Sequence, residues 1–173
     1  MAESKRKTQK GFTLIELIVV IIILSVLAAT ALPRFANLQT QARIAKLNGA
    51  MGSMKAASAL AHAACLASIP QCTPLPGSGT QLMEGVNVTM VNTYPTANAS
   101  GIITAAGINA DPNSPDGYAV SGGGAAAGDI LKFMVLGNDP NNCFFTYTAP
   151  GNSQAPVFGT FNPPSAAGST AGC

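Results

Sequence analysis

Residues 10–33 read KGFTLIELIVVIIILSVLAATALP. From Phe12 to Leu32 the run holds 21 residues, and only Thr13, Glu16, Ser25 and Thr30 among them are polar. As a helix rising 1.5 Å per residue it is about 31 Å long, the thickness of a bilayer's hydrocarbon core. Its single charge, Glu16, sits five residues in, counting from Phe12. A carboxylate at that depth is costly in hydrocarbon and calls for a partner. Just before the run, Lys5, Arg6, Lys7 and Lys10 stand against Glu3 alone. Such a basic leader stays on the cytoplasmic side, so the rest of the chain faces outward.

The whole chain has 173 residues, enough for one domain with a modest core. Only 9% of residues are charged, which is sparse for a soluble enzyme. At 47% hydrophobic it is too apolar for a disordered chain. The net charge of +2 belongs to the leader. Beyond residue 11, Arg34, Arg43, Lys46, Lys55 and Lys132 face Glu16, Glu84, Asp111, Asp116, Asp129 and Asp139. That slight acidic excess provides no nucleic-acid surface. Four cysteines, an even number, fit two disulfides and an oxidising compartment.

Two readings of the N-terminal run compete. An ordinary secretory signal has a basic start, an apolar run and an A-x-A site, here Ala29-Thr30-Ala31. It would release a soluble periplasmic binding protein beginning at Leu32. The run is long for that purpose, Glu16 is misplaced in it, and a helical pattern continues past Ala31.

The second reading rests on a resemblance. KGFTLIELIVVIIILSVLAATALPRF resembles the prepilin signal of the type IV pilin family. The matching features are the short basic leader 1–11, the Gly11–Phe12 junction, Glu16, and Pro33 at the end of the apolar run. Ser25 departs from the pattern, because many members have Gly there, and this weakens any expectation of helix melting at that point. The resemblance covers residues 11–50 closely. Local likeness to mannose-sensitive haemagglutinin-type pilins extends through ALPRFANLQTQARIAKLNGA and NNCFFTYTAP. It implies a precursor in the inner membrane, cleaved after Gly11, N-methylated at Phe12 and built into an extracellular homopolymer. It also implies a prepilin peptidase, an assembly ATPase, a platform protein and a secretin as partners. Adhesion, motility and DNA uptake are all outputs of such fibres. A pseudopilin of a type II secretion system is the alternative within the family, and the four cysteines favour the pilin.

Glu16 has its own physical argument. Cleavage after Gly11 creates an amine on Phe12, about 6 Å along the helix from Glu16. Subunits staggered by that distance would set one chain's amine against the next chain's Glu16. In an apolar core such a pair is weakly screened and fixes register. The competing reading makes Glu16 a helix N-terminal residue, favoured there by the dipole or by its own amine.

Past Pro33 an apolar stripe continues through Ile44, Leu47, Met51, Met54, Ser58, Ala61 and Cys65 at spacings of three and four. The spacing predicts one helix from Phe12 to about Ala67, roughly 84 Å long, kinked near Pro33 and ended by Pro70. Residues 70–84 read as a loop, and DPNSPDG reads as a turn cluster. GVNVTMVN is a strand or part of a connection, and ASGIITAAG a short helix. GYAVSG, DILKFMVLG, CFFTYTAP and APVFGTF read as strands.

The fold expected is therefore α+β: a long N-terminal helix, its first half transmembrane, packed on a small antiparallel sheet. The organisation is a leader 1–11, a transmembrane and fibre-core half 12–33, an outer helix half 34–69 and a globular head 70–173. Cys65 and Cys72 lie too far apart in a continuous helix, but a break at Pro70 makes a local bridge feasible. By resemblance to the family's C-terminal disulfide loop, Cys143 pairs with Cys173. Four cysteines allow three pairings, and the sequence leaves the other two open.

Other signals are weaker. His62 is the only histidine and lacks a C-x-x-C companion, so no metal or other cofactor is expected. SGGGAAAGD has no Lys and opens no helix, so it is not a phosphate loop. Asp111 and Asp116 fit Asx turns better than a calcium loop. Asn87 and Asn98 begin sequons that carry little weight in a bacterial chain. No catalytic set is expected with one histidine.

Overall fold

The structure is a computed structural model and describes residues 11–68, 79–137, 139–159 and 168–173. Residues 1–10 of the expected leader 1–11, Cys72 and the side chain of Pro33 lie outside the described residues. The chain divides into two units, Met1–Gln39 and Thr40–Cys173.

One helix, α1, runs Leu14–Ala67 and continues unbroken through positions 25 and 33. In the first unit its window Leu14–Ala31 is apolar enough to cross a membrane, and none of it is buried. The two hydroxyls inside this window bond back to the turn before them. Ser25 Oγ donates to the Ile22 carbonyl at 2.7 Å, and Thr30 Oγ1 to that of Leu27 at 3.0 Å.

In the second unit the predicted stripe points inward. Leu47, Met51, Met54, Ser58, Ala61 and Cys65 are buried, and Ile44 is half-buried against the core. Among the described residues eight strands accompany the helix: β1 Gly79–Met83, β2 Val86–Val91, β3 Tyr94–Pro95, β4 Tyr118–Gly122, β5 Ile130–Val135, β6 Phe144–Thr148, β7 Val157–Phe158 and β8 Gly168–Ser169. All pairings are antiparallel.

Two expectations need correction. A single sheet was expected, but there are two: β1-β2-β3, and β4-β5-β6-β7 with β8 also on β6. The segment between them holds a short irregular turn, Ala99–Ile103, broken at Gly101 by non-helical backbone, and the turns around Asp111. Residues 79–83, read as loop, form β1 in register with β2 from Gly79↔Met90 to Met83↔Val86. Its connection is the two-residue turn Glu84-Gly85, with φ of +47 and +83. Both residues are left-handed, as a tight hairpin turn with the twist of its strands requires.

The main core joins Leu47, Ala50, Met51 and Met54 of α1 to Leu131, Phe133 and Val135 of β5 and to Phe145 and Tyr147 of β6. β5 alternates as a half-buried strand should, with Leu131, Phe133 and Val135 in and Ile130 exposed. β6 is buried from Phe144 to Tyr147, so side chains on both of its faces are covered. A second cluster, Ala61, Cys65, Val88 and Met90, sits under the three-stranded sheet. The Tyr147 hydroxyl, buried, donates to the Pro95 carbonyl at 2.7 Å and so ties β6 to β3 across the two sheets.

Candidate functional site

The helix begins with a reciprocal clasp. Thr13 N–H and Thr13 Oγ1 both donate to Glu16 Oε2 at 2.9 Å, and Glu16 N–H donates to Thr13 Oγ1 at 3.3 Å. Thr13 and Glu16 are three apart, so Thr-x-x-Glu forms a capping box that satisfies orphan donors at the helix start. The signal is present in the sequence as TLIE. In the single chain, then, Glu16 caps its own helix. Every one of its side-chain hydrogen bonds goes to Oε2, and Oε1 takes none among the described residues.

Gly11 and Phe12 precede the helix and are exposed, Phe12 at 95%. Around Glu16, the side chains of Ile15, Leu17, Val19 and Val20 are also open. Gly11, Phe12, the carboxylate and the apolar run therefore lie together along one uncovered stretch of chain at the start of the helix. Position 33 is helical.

Among the cysteines, Cys143 is bonded to Cys173, with Cα atoms 4.8 Å apart and a sequence separation of 30. β8 pairs with β6 beside this bridge, and Arg43 Nη1 of α1 donates to the Cys173 carbonyl at 2.8 Å. Cys65 is also in a disulfide, while Cys72 lies outside the described residues.

The residues that look chemical have structural roles. The His62 ring stacks flat on Tyr94 at 4.0 Å, and its Nδ1 lies 2.9 Å from Thr93 Oγ1 and 3.1 Å from the Thr93 carbonyl. Asp111 Oδ1 accepts from Asn113 N–H at 2.8 Å, an Asx turn. The glycine run in SGGGAAAGD lets two chain segments approach. At Gly123, φ +87, an added Cβ would lie 2.0 Å from the Ala97 carbonyl oxygen, beside the bridge between Ala97 and Gly124. No group of three or more His, Cys, Asp or Glu gathers as a metal site among the described residues.

Residues 6–32 match the family described as the prokaryotic N-terminal methylation motif. The chain is 43% identical over 63 residues to the type IV narrow pilus major component of Thermus thermophilus, covering 36% of this chain and 53% of that protein. It is 50% identical over 56 residues to a fimbrial protein of Eikenella corrodens, covering 31% of this chain and 35% of the relative. The matches to these relatives thus span about a third to a half of their length. A longer match, 28% identical over 155 residues, reaches the type IV major alpha-pilin of Moraxella bovis and covers 90% of this chain and 94% of that one. No solved structure matches the chain. The methylation motif, the exposed apolar helix, the antiparallel sheets and these relatives agree in one direction: the chain is similar to type IV pilins.

Proposed function

We propose that this chain is the structural subunit of a type IV pilus. In this reading residues 12–33 hold the precursor in the inner membrane with its leader inside. Cleavage between Gly11 and Phe12 and methylation of the new amine precede polymerisation into a surface fibre. The observation that carries the reading is the helix stretch Leu14–Ala31, wholly unburied in the single chain and directly preceded by the Gly11–Phe12 junction. Apolar surface of that extent needs lipid first and protein afterwards.

Glu16 has two roles in this scheme. Oε2 holds the cap through Thr13, and Oε1 remains for a neighbour's Phe12 amine. The head, built on residues 70–173 and the outer helix half, forms the outside of the fibre. Its sheets and disulfides suit an exposed, oxidising surface.

Mass spectrometry of material sheared from cells tests the reading. The expected N-terminal peptide begins at N-methyl-Phe12, and electron microscopy shows fibres that disappear when the gene is deleted. A mature chain beginning at Leu32, or the absence of any fibre, would refute it.

A further inference from the structure

Two side chains of opposite charge, Arg34 and Glu84, make no hydrogen bond or ion pair among the described residues, and both are exposed. The other described cations are engaged. Arg43 holds the Cys173 carbonyl, Lys46 the Asp116 carbonyl and the Tyr118 ring, Lys55 the Phe158 ring, and Lys132 the Asn141 carbonyl and the Phe144 ring. The carboxylates of Glu16, Asp111, Asp129 and Asp139 each accept hydrogen bonds, and Asp116 lies beside Lys46.

Glu84 stands at the rim of a groove of roughly 440 Å³. Its walls include Ser53, Ala57 and Leu60 of α1 and Met83 and Val86 of the β1–β2 hairpin. Leu60 and Val86 are exposed there. Glu84 also occupies a left-handed turn position, φ +47, where Asn or Gly would cost less. The backbone therefore gives no reason for glutamate at this position. Arg34 lies just past the apolar window, with Phe35 and Leu38 exposed beside it. Positions 34, 35 and 38 share one helix face.

Resting on the pilin reading, we propose that the Arg34–Leu38 face of one subunit seats in this groove of a second copy. Arg34 pairs with Glu84, and Phe35 and Leu38 cover Leu60 and Val86. Knob and groove are different surfaces, so the contact repeats head to tail and generates an open fibre instead of a closed dimer. The charge pair, half-covered by apolar neighbours, sets register and excludes wrong neighbours more than it adds affinity. The other candidate occupant for Arg34 is a lipid phosphate at the membrane edge. That alternative gives Glu84 no role.

The test is charge reversal in the full chain, in cells that assemble it. Fibre yield is measured per unit of membrane-held subunit. Arg34→Glu and Glu84→Arg should each lower it at least tenfold, and the double reversal should restore it to within twofold of wild type. Single reversals that assemble normally, or a double no better than the singles, overturn the proposal. An effect of Arg34→Glu alone identifies the lipid contact instead. Should a reversal deplete the subunit itself, Arg34→Cys with Glu84→Cys decides: a ladder of disulfide-linked oligomers in sheared fibres is expected, and unlinked subunits refute the contact. Wild-type cells without fibres would instead defeat the pilin reading on which the pair rests.

Discussion

Replacing Tyr147 with Phe removes one oxygen from the join between the two sheets. The hydroxyl is fully buried and gives its proton to the Pro95 carbonyl at 2.7 Å. Phe fills the same ring volume, so the loss is the hydrogen bond and the desolvated carbonyl it leaves, about 1–3 kcal/mol. A second observable separates this from a packing defect. Burial pushes the Tyr147 phenol far above its usual range. An acid whose folded pKa is raised binds its proton more tightly when folded. Its contribution is complete below the unfolded value near 10 and is lost as pH rises beyond it. Between pH 8 and pH 11 the wild type should therefore lose about 1.4 kcal/mol more than Tyr147→Phe. Urea unfolding of the full chain in detergent, run at both pH values, measures this. The variant should be weaker at pH 8 by the hydrogen-bond loss, and the gap should narrow at pH 11. A variant as stable as wild type at pH 8, or a gap that does not change with pH, would refute the role given to this hydroxyl.

Three further outcomes are expected. Thr13→Ala removes the capping hydroxyl but leaves the charge, so fibres should persist, whereas Glu16→Gln keeps an acceptor for the cap and should lose most fibres at normal membrane levels; equal assembly by Glu16→Gln would make capping the whole role of the residue. Cys143→Ala opens a bridge 30 residues apart and should cost about 3.7 kcal/mol in urea unfolding. Opening the proposed Cys65–Cys72 bridge should cost about 2.5, and the reverse order would contradict the loop-length argument. Ser58 Oγ is buried near Tyr147 with no partner in hydrogen-bond geometry, so Ser58→Ala should leave stability unchanged or raise it by about 1 kcal/mol. A clear loss would mean that the hydroxyl is hydrogen-bonded.

The helix and its buried stripe were legible because both signals are periodic and long. Leu47, Met51, Met54, Ala61 and Cys65 can lie on one side only if the chain is helical there. The strands β4, β5 and β6 were legible because their apolar alternation is bounded by turns. β1 was not, because Gly79-Thr80-Gln81 carries no apolar alternation and follows a Pro- and Gly-rich stretch. What makes it a strand is its partner β2 and the left-handed Glu84-Gly85 turn, and pairing is not a local property. The division into two sheets was hidden for the same reason. At the proposed site, Gly11, Phe12 and Glu16 stand out in the sequence by their types and spacing alone. The clasp between Thr13 and Glu16 is also legible, as Thr-x-x-Glu just ahead of an apolar run.

The inward bonds of Ser25 and Thr30 have a consequence for how the apolar helix changes surroundings. Each hydroxyl spends its proton on a carbonyl of its own turn, so neither requires a donor or acceptor from outside. Moving such a segment from acyl chains to the flanks of identical helices leaves the bonding of these hydroxyls untouched. The exchange is between two media of similar polarity, so its free energy is small for the length of helix involved. A segment of this kind does not resist passage in either direction. Whether it sits among lipids or among its copies is then decided by the groups at its ends, and by whatever force is applied to the chain.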